Sequence, residues 1–366
     1  MTSFSSTRWF SHALGGIDRF LFEPRSRTPL RLMRIAYGLF LVVYFTSLYS
    51  PAMMLYGTDG LVSRSGEYPL SHVDRPHLFH LISDHSDHVV WLVIGGGITS
   101  GFWLASGVLT RIAPLVTWLF VSSVVTVIPG NSGDMLVMCF ATYMAAAGLA
   151  GHLNAGRNNS PHRLPTNPTG KHPPKAISKE VVGTTNLVKS PILGKAYRRL
   201  LIEPFTSSGQ TIPAWSIRLF QIQLVYVYFF SGYHKLANDT WYHGTALHYI
   251  AGQTFWSRVD LSQLLGWPAV TSLMTTTVLL FELLAFPVLV WVKPWRIPIL
   301  LAGVIFHVTI SITMRVFVFH QILILYYMAF LLPGDWQAIW SLFRPLQKFL
   351  SCSGWQAEAT RATDGS

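Results

Sequence analysis

The sequence predicts an all-α integral membrane protein: a polytopic helical bundle of about eight transmembrane helices, with further helices lying in the interface. Three observations lead there. The 366 residues are 51% apolar and only 12% charged, about half the charge fraction usual in a soluble domain. Several apolar runs reach the roughly 20 residues that a membrane-crossing helix needs. The formal charge of +11 is distributed between those runs, which is the pattern of cytoplasmic loops and gives no reason to expect nucleic acid as a partner.

Residues 1–27 lack the continuous apolar core of a signal peptide and carry Arg8, Arg19, Arg25 and Arg27. Trp9, Phe10, Leu14, Ile17, Phe20 and Leu21 recur at helical spacing, which predicts a short amphipathic helix against the membrane lipid. The membrane part divides into 28–153, with spans one to four, and 213–334, with spans five to eight. A basic cytoplasmic loop over 154–212 joins them, and 335–366 is a cytoplasmic tail. Span one, about 30–49, opens with Arg31 and Arg34 and stops at Pro51. Span two, about 89–109, carries Gly95, Gly96, Gly97, Gly101 and Gly107, small residues that let helices approach closely. Arg111 marks the turn to span three, about 112–128. A polar turn over 129–134 leads to span four, about 135–153, with Asp134 read as its cap.

The first half of the 154–212 loop is rich in Pro, Asn, Ser and Lys and reads as disordered. Residues 191–205 are more amphipathic and suit a membrane surface. Span five, about 213–233, ends in an aromatic run after which Gly232 is expected to let the backbone turn. Residues 241–256 read as a short interfacial or re-entrant helix, which lasts at membrane depth only against protein or a water-filled cavity. Spans six, seven and eight fall at about 270–292, 297–314 and 316–332, followed by a surface helix over 334–350.

With eight spans, most of the 27 lysines and arginines share the side of the N-terminus. The opposite side holds only Arg64, Arg75, Lys235, Arg258 and Arg315. The positive-inside rule then places both termini in the cytoplasm and Lys235 on the outer face of a cell (inner) membrane. Two cysteines, Cys139 and Cys352, form no CxxC pair and no disulfide framework. His72, His77, His80, His85 and His88 cluster in the 50–87 loop, but none of their spacings combines two histidines at i, i+4 with an acidic base, so no metal is expected.

The chemistry on offer is ionisable groups at membrane depth. Glu282 in span six and His307 in span seven are costly in lipid and are therefore candidates for function. Alternatively they form a hydrogen-bonded pair that fixes helix packing. With Lys235, His234, His243 and Asp134 they could line one outward cavity, capped by interfacial aromatics such as Trp241. Burial favours the neutral amine of a lysine, the form that acts as a general base. The plain alternative for Lys235 is snorkelling from a helix end to the headgroups.

One motif is more specific. Phe230-Ser231-Gly232-x-x-Lys235-Leu236, followed by Trp241-x-x-Gly244-x-Ala246-Leu247, resembles the family of the vitamin K-dependent gamma-carboxylase membrane domain (HTTM). Bacterial members include the membrane protein that helps mature the sporulation-delaying peptide toxin. Leu30–Gly38 by position 30–38, Asn131 to Leu136, and Phe306-His307 are similar to further stretches of the family, and the resemblance covers most of 28–335. It implies a lyase-type chemistry in which a lysine deprotonates a membrane quinol (vitamin K or menaquinol-like) on the outer side. Dioxygen adds, and the resulting strong base removes the gamma proton of a peptide glutamate, which takes up carbon dioxide. Lys235 matches that lysine. By the same resemblance His307 would help hold the quinol or its oxyanion, and Asn131 would lie close to the reacting ring.

Two departures qualify what the resemblance implies. His234 stands where the carboxylase has the first of two adjacent lysines. The carboxylase also carries a large soluble domain that grips its substrate, whereas about 30 residues follow span eight here. Recognition of an exported peptide or protein would then fall to a partner, such as a small accessory protein. The competing function class is a non-catalytic assembly or binding subunit, or a transporter-like one, for an exported polypeptide.

Overall fold

Every run predicted to cross the membrane is helical in the computed structural model, which describes residues 6–61, 76–82, 87–127, 131–153, 211–316 and 318–336. The amphipathic N-terminus forms α1 (Ser6–Phe22). Span one is α2 (Thr28–Ser47), followed by the single turn α3 (Ala52–Tyr56), and α4 (Leu78–Leu81) is a short piece of the following loop. Spans two to four are α5 (His88–Ser106), α6 (Ala113–Val127) and α7 (Ser132–Leu149). Span five is α8 (Trp215–Leu236). Spans seven and eight are α14 (Lys293–Thr313) and α15 (Phe319–Tyr327), the latter closing in a 3₁₀ turn (Met328–Phe330).

Among the described residues, five helical stretches are long and apolar enough to cross a membrane: Thr28–Ser47, His88–Ser106, Ser132–Leu149, Pro268–Leu289 and Lys293–Thr313. Ala113–Val127 and Phe319–Phe330 are shorter apolar helices. The 22 residues of α8 have the length but carry Arg218, Gln221, Gln223, His234 and Lys235. The protein is therefore a helical membrane protein, with five stretches that qualify as spans on length and hydropathy.

Span six departs from a regular helix. It begins as α12 (Pro268–Leu280), widens into a π-helical turn (Phe281–Ala285) and resumes as α13 (Phe286–Leu289). Pro287 explains the change: it has no N–H for the Leu283 carbonyl, and its ring would crowd that oxygen in an α-helix. The chain inserts the extra spacing of a π-turn, and the Phe286 N–H bonds to the Phe281 carbonyl, five residues back.

Between α8 and α12 the predicted single helix over 241–256 is instead two short ones, α9 (Asp239–Tyr242) and α10 (Ala246–Gly252), with α11 (Ser262–Leu265) beyond them. The break falls at Gly244, whose φ of +72° is left-handed. The end of this loop is pinned to the C-terminus of α14: the Arg258 N–H donates to the Thr313 carbonyl at 2.8 Å, and Arg258 Nε to that of Met314 at 2.9 Å. These are the carbonyls a helix end leaves unpaired.

One feature was not foreseen, and one expected from the glycines of span two takes a specific form. A two-stranded antiparallel ribbon pairs β1 (Pro24–Ser26) with β2 (Thr211–Pro213), in the register Arg25 to Ile212. It fixes the starts of α2 and α8 at one end of the bundle. The second feature is how closely α2 and α5 pack: a Cβ on Gly38 would lie 2.6 Å from the Gly101 carbonyl, and one on Gly101 2.8 Å from that of Gly38. Close backbone approach of this kind is what small residues contribute inside membranes. Gly96 and Gly97 also face side chains, Phe120 and Phe45, whereas Gly95 has nothing within 4 Å.

The core is aromatic and is shared by both groups of spans. Tyr37 of α2, Phe140 of α7, Phe220 of α8 and Tyr326 of α15 are fully buried. Phe140 stands at its centre, with ring centroids 4.3 Å from Tyr37, 4.7 Å from Phe220 and 5.0 Å from Tyr326. The two tyrosine hydroxyls donate to backbone carbonyls of α7, Tyr37 to Val137 at 2.7 Å and Tyr326 to Leu136 at 3.1 Å. Buried phenols need such partners. Residues 1–330 make up one unit and Leu331–Ser366 another, in which the Leu332 N–H donates to Asp335 Oδ2 at 2.7 Å. Most of the predicted loop over 154–212 and of the surface helix over 334–350 lies outside the described residues.

Candidate functional site

The motif at the end of α8 works differently from the expected turn. The helix continues through Gly232 to Leu236. Gly232 is instead the point where α8 rests on the π-turn: a Cβ there would lie 2.8 Å from the backbone nitrogen of Leu283 and 3.0 Å from its Cα. Backbone cannot give way as a flexible side chain can, so glycine is required. One helical turn on, Lys235 Nζ donates to both carboxylate oxygens of Glu282, 2.5 Å from Oε1. The side chain of Glu282 is 6% exposed and that of Lys235 24%. The Trp241 ring lies under the ammonium, 4.9 Å from Nζ to its centroid, a cation–π contact.

The rest of the motif serves this pair. Asn238 caps α9 by accepting from the Thr240 N–H, and that short helix brings Trp241 to Lys235. Gly244 then reverses the chain where a Cβ would meet Ser272 Oγ of α12 at 2.7 Å. Gly-x-x-Lys and Trp-x-x-Gly are thus the two close approaches that hold α8 and α9 against span six.

A second cluster lies deeper on the same face of α8. Tyr228 is two helical turns before Lys235, so the two share a face. Its ring stacks on Phe286 at 3.9 Å between centroids. Its hydroxyl is hydrogen-bonded to Tyr327 of α15 and, at 2.7 Å, to His307 Nε2 of α14. The other nitrogen of His307, Nδ1, is 2.8 Å from Nδ1 of His320 in α15. His307 is 2% exposed and His320 4%. The Lys235 ammonium is near enough to act electrostatically on both rings.

The polar turn before α7 approaches from the other half. Asn131, not Asp134, is the N-cap: its Oδ1 accepts from the Gly133 N–H at 2.7 Å and the Asp134 N–H at 3.2 Å. A Cβ on Gly133 would lie 2.7 Å from the backbone nitrogen of Phe319, so the start of α7 sits directly on the start of α15, beside His320. Asp134 turns the other way and accepts from Tyr44 at 2.9 Å, tying α7 to α2.

Of the residues singled out from the sequence, Lys235, Glu282 and Trp241 come together, His307 joins a neighbouring network, and Asn131 stands at that network's edge. His234, on α8, and His243, just past the end of α9, are exposed, His234 against Phe230 and Tyr233 and His243 against Tyr242. Sequence reasoning missed Tyr228, Tyr327 and His320. The signal for His320 was present, since it is an ionisable group inside an apolar span, as His307 is. The expected alternative pairing of Glu282 with His307 is replaced by Glu282 with Lys235 and His307 with Tyr228. Among the described residues no group of three His, Cys, Asp or Glu could hold a metal ion. In the 50–87 loop, His72 and His85 lie outside the described residues.

The arrangement can move protons. A lysine and a carboxylate in contact away from bulk water exist as an ion pair or, after one proton transfer, as amine and acid. Transfer from Nζ to a Glu282 oxygen would expose a neutral amine beside an aromatic ring.

Comparison with known proteins agrees with the motif. Residues 202–336 match the HTTM domain, which belongs to the vitamin K-dependent carboxylase family, and this segment contains Lys235, Glu282, His307 and His320. No curated protein and no solved structure matches the chain.

Proposed function

We propose that this protein is a membrane enzyme of the carboxylase type, which uses a membrane quinol, dioxygen and carbon dioxide to modify an exported peptide, with Lys235 as the base. The single observation that carries this reading is the ion pair of Lys235 with Glu282, built by the Gly-x-x-Lys and Trp-x-x-Gly elements of the matched domain. A snorkelling lysine would present its ammonium to headgroups; this one turns both Glu282 oxygens and an indole ring toward it.

The residues present suit a quinol. Trp241, Phe281 and Phe306 offer aromatic surface near Lys235, Glu282 and the histidine pair, and an aromatic ring with two polar oxygens needs that combination. Glu282 would take a proton from Nζ, and the neutral amine of Lys235 would then accept the proton of a quinol hydroxyl. A bound quinol would supply, with dioxygen, a base strong enough for the gamma carbon of a peptide glutamate. Placing Lys235 on the outer face accords with an exported substrate.

The test is quinol oxidation by the purified protein in nanodiscs under air, wild type against Lys235→Ala. The expected result is consumption by the wild type that falls by at least about a hundredfold in the variant, the scale of a lost general base. Equal inertness of both proteins, also after co-expression with neighbouring gene products, would favour the non-catalytic assembly subunit.

A further inference from the structure

The histidine that the family resemblance assigns to the quinol has no hydrogen-bonding capacity left for it. A neutral imidazole has one donor and one acceptor nitrogen. In His307 Nε2 is engaged with Tyr228 at 2.7 Å and Nδ1 with His320 at 2.8 Å. His320 is different. Its Nδ1 meets His307, while its Nε2 is buried with no hydrogen-bond partner among the described residues. A buried polar atom left unpaired is costly and rare, and it asks for a partner.

We infer that His320, not His307, is the histidine that contacts the bound quinol, through Nε2 to a ring oxygen. This rests on the quinol reading above. His307, Tyr228 and Tyr327 are then positioning residues that act through His320. A quinol carries two oxygens at opposite ends of its ring; Lys235 serves one and His320 the other.

The network has a property suited to that role. An Nδ1-to-Nδ1 contact between neutral rings requires one to donate and the other to accept, which leaves two self-consistent orders. When a ligand hydroxyl donates to His320 Nε2, donation runs from His320 to His307, to Tyr228, to Tyr327. When a ligand carbonyl accepts from His320 Nε2–H, every hydrogen bond reverses, from Tyr327 back to His320. The hydrogen-bonded chain can therefore match either a quinol or a quinone by shifting its own protons. The backbone holds His320 firmly for this. Val318 sits at φ +72°, a strained conformation for a β-branched residue, and Gly133 lets α7 close against the Phe319 backbone.

The experiment uses the full chain in nanodiscs with menaquinone as the probe. Binding is read by quenching of tryptophan fluorescence, and the ring nitrogens by ¹⁵N NMR of histidine-labelled protein, anaerobically, with oxidised and then reduced menaquinone. The expected result is that the His320 Nε2 resonance is protonated with the quinone and exchanges that character with Nδ1 on reduction, with His307 changing in step. The resonance is assigned with His320→Asn, which retains an amide near the Nδ1 position, and His320→Gln, which reaches the Nε2 position. Menaquinone binding should weaken by about tenfold or more in H320N and stay within about threefold of wild type in H320Q. Menaquinone binding to the wild type with unchanged histidine resonances would overturn this inference and leave the quinol reading standing. Absence of any menaquinone binding by the wild type would overturn the quinol reading, and this inference with it.

Discussion

Removing Glu282 alone leaves the Lys235 ammonium largely buried with only an indole beside it, and removing Lys235 leaves a carboxylate 6% exposed without its cation. Either single change to an apolar residue, Glu282→Leu or Lys235→Met, should destabilise the protein by about 3–5 kcal/mol, whereas the double variant should return close to wild type. Unfolding of the four proteins in the same detergent completes the cycle. A double variant as unstable as the singles would mean that the pair does not act as a unit. At this scale the sequence pointed to ionisable residues inside apolar runs and was silent about their partners. Glu282 and His307 stood out because charge is costly in lipid. Their partners, Lys235 and Tyr228, lie 47 and 79 residues away along the chain, and hydropathy carries no signal about that.

Glycines and prolines set the helices' geometry, and their roles separate by what surrounds them. Gly232→Ala should cost about 1–3 kcal/mol, because the new methyl meets the Leu283 backbone, and should impair activity by displacing Lys235 from Glu282. Gly95→Ala is the control: with nothing within 4 Å it should be neutral, or stabilising by up to about 1 kcal/mol, as alanine favours a helix. Thermal unfolding of both variants decides the point, and equal effects would remove the packing role given to Gly232. Helix positions were legible to within a few residues, since each predicted span has its helix. The expected turn at Gly232 was not: a glycine near a helix end signals a turn and a close contact equally well. Only the position of the π-turn on the far side, set by Pro287, distinguishes the two.

Across the whole molecule, the β1–β2 ribbon fixes the starts of α2 and α8 together. At a rise of about 1.5 Å per residue, α8 then carries Lys235 about 30 Å from its first residue, Trp215, toward the opposite end. If the charge distribution sets the orientation, Glu23 beside β1 is cytoplasmic and Tyr242 beside Trp241 is external. In a background with both native cysteines replaced by serine, Tyr242→Cys should react with a membrane-impermeant maleimide in intact cells. Glu23→Cys should react only after permeabilisation. The reverse pattern would put Lys235 on the cytoplasmic side and remove the exported substrate from the reading.

The sequence by itself determined the fold class, the positions of the long helices and the lysine at the end of α8. Those depend on local properties: apolar run length, helical periodicity, and residue types at fixed short spacing. Tertiary structure alone decided that Lys235 pairs with Glu282, that Asn131 rather than Asp134 caps α7, and that His307 is saturated while one nitrogen of His320 has no partner among the described residues. Each of these is a hydrogen-bond assignment between side chains or backbone groups brought together by folding, and a donor's partner is set by distances of a few ångströms that the linear order of residues does not contain.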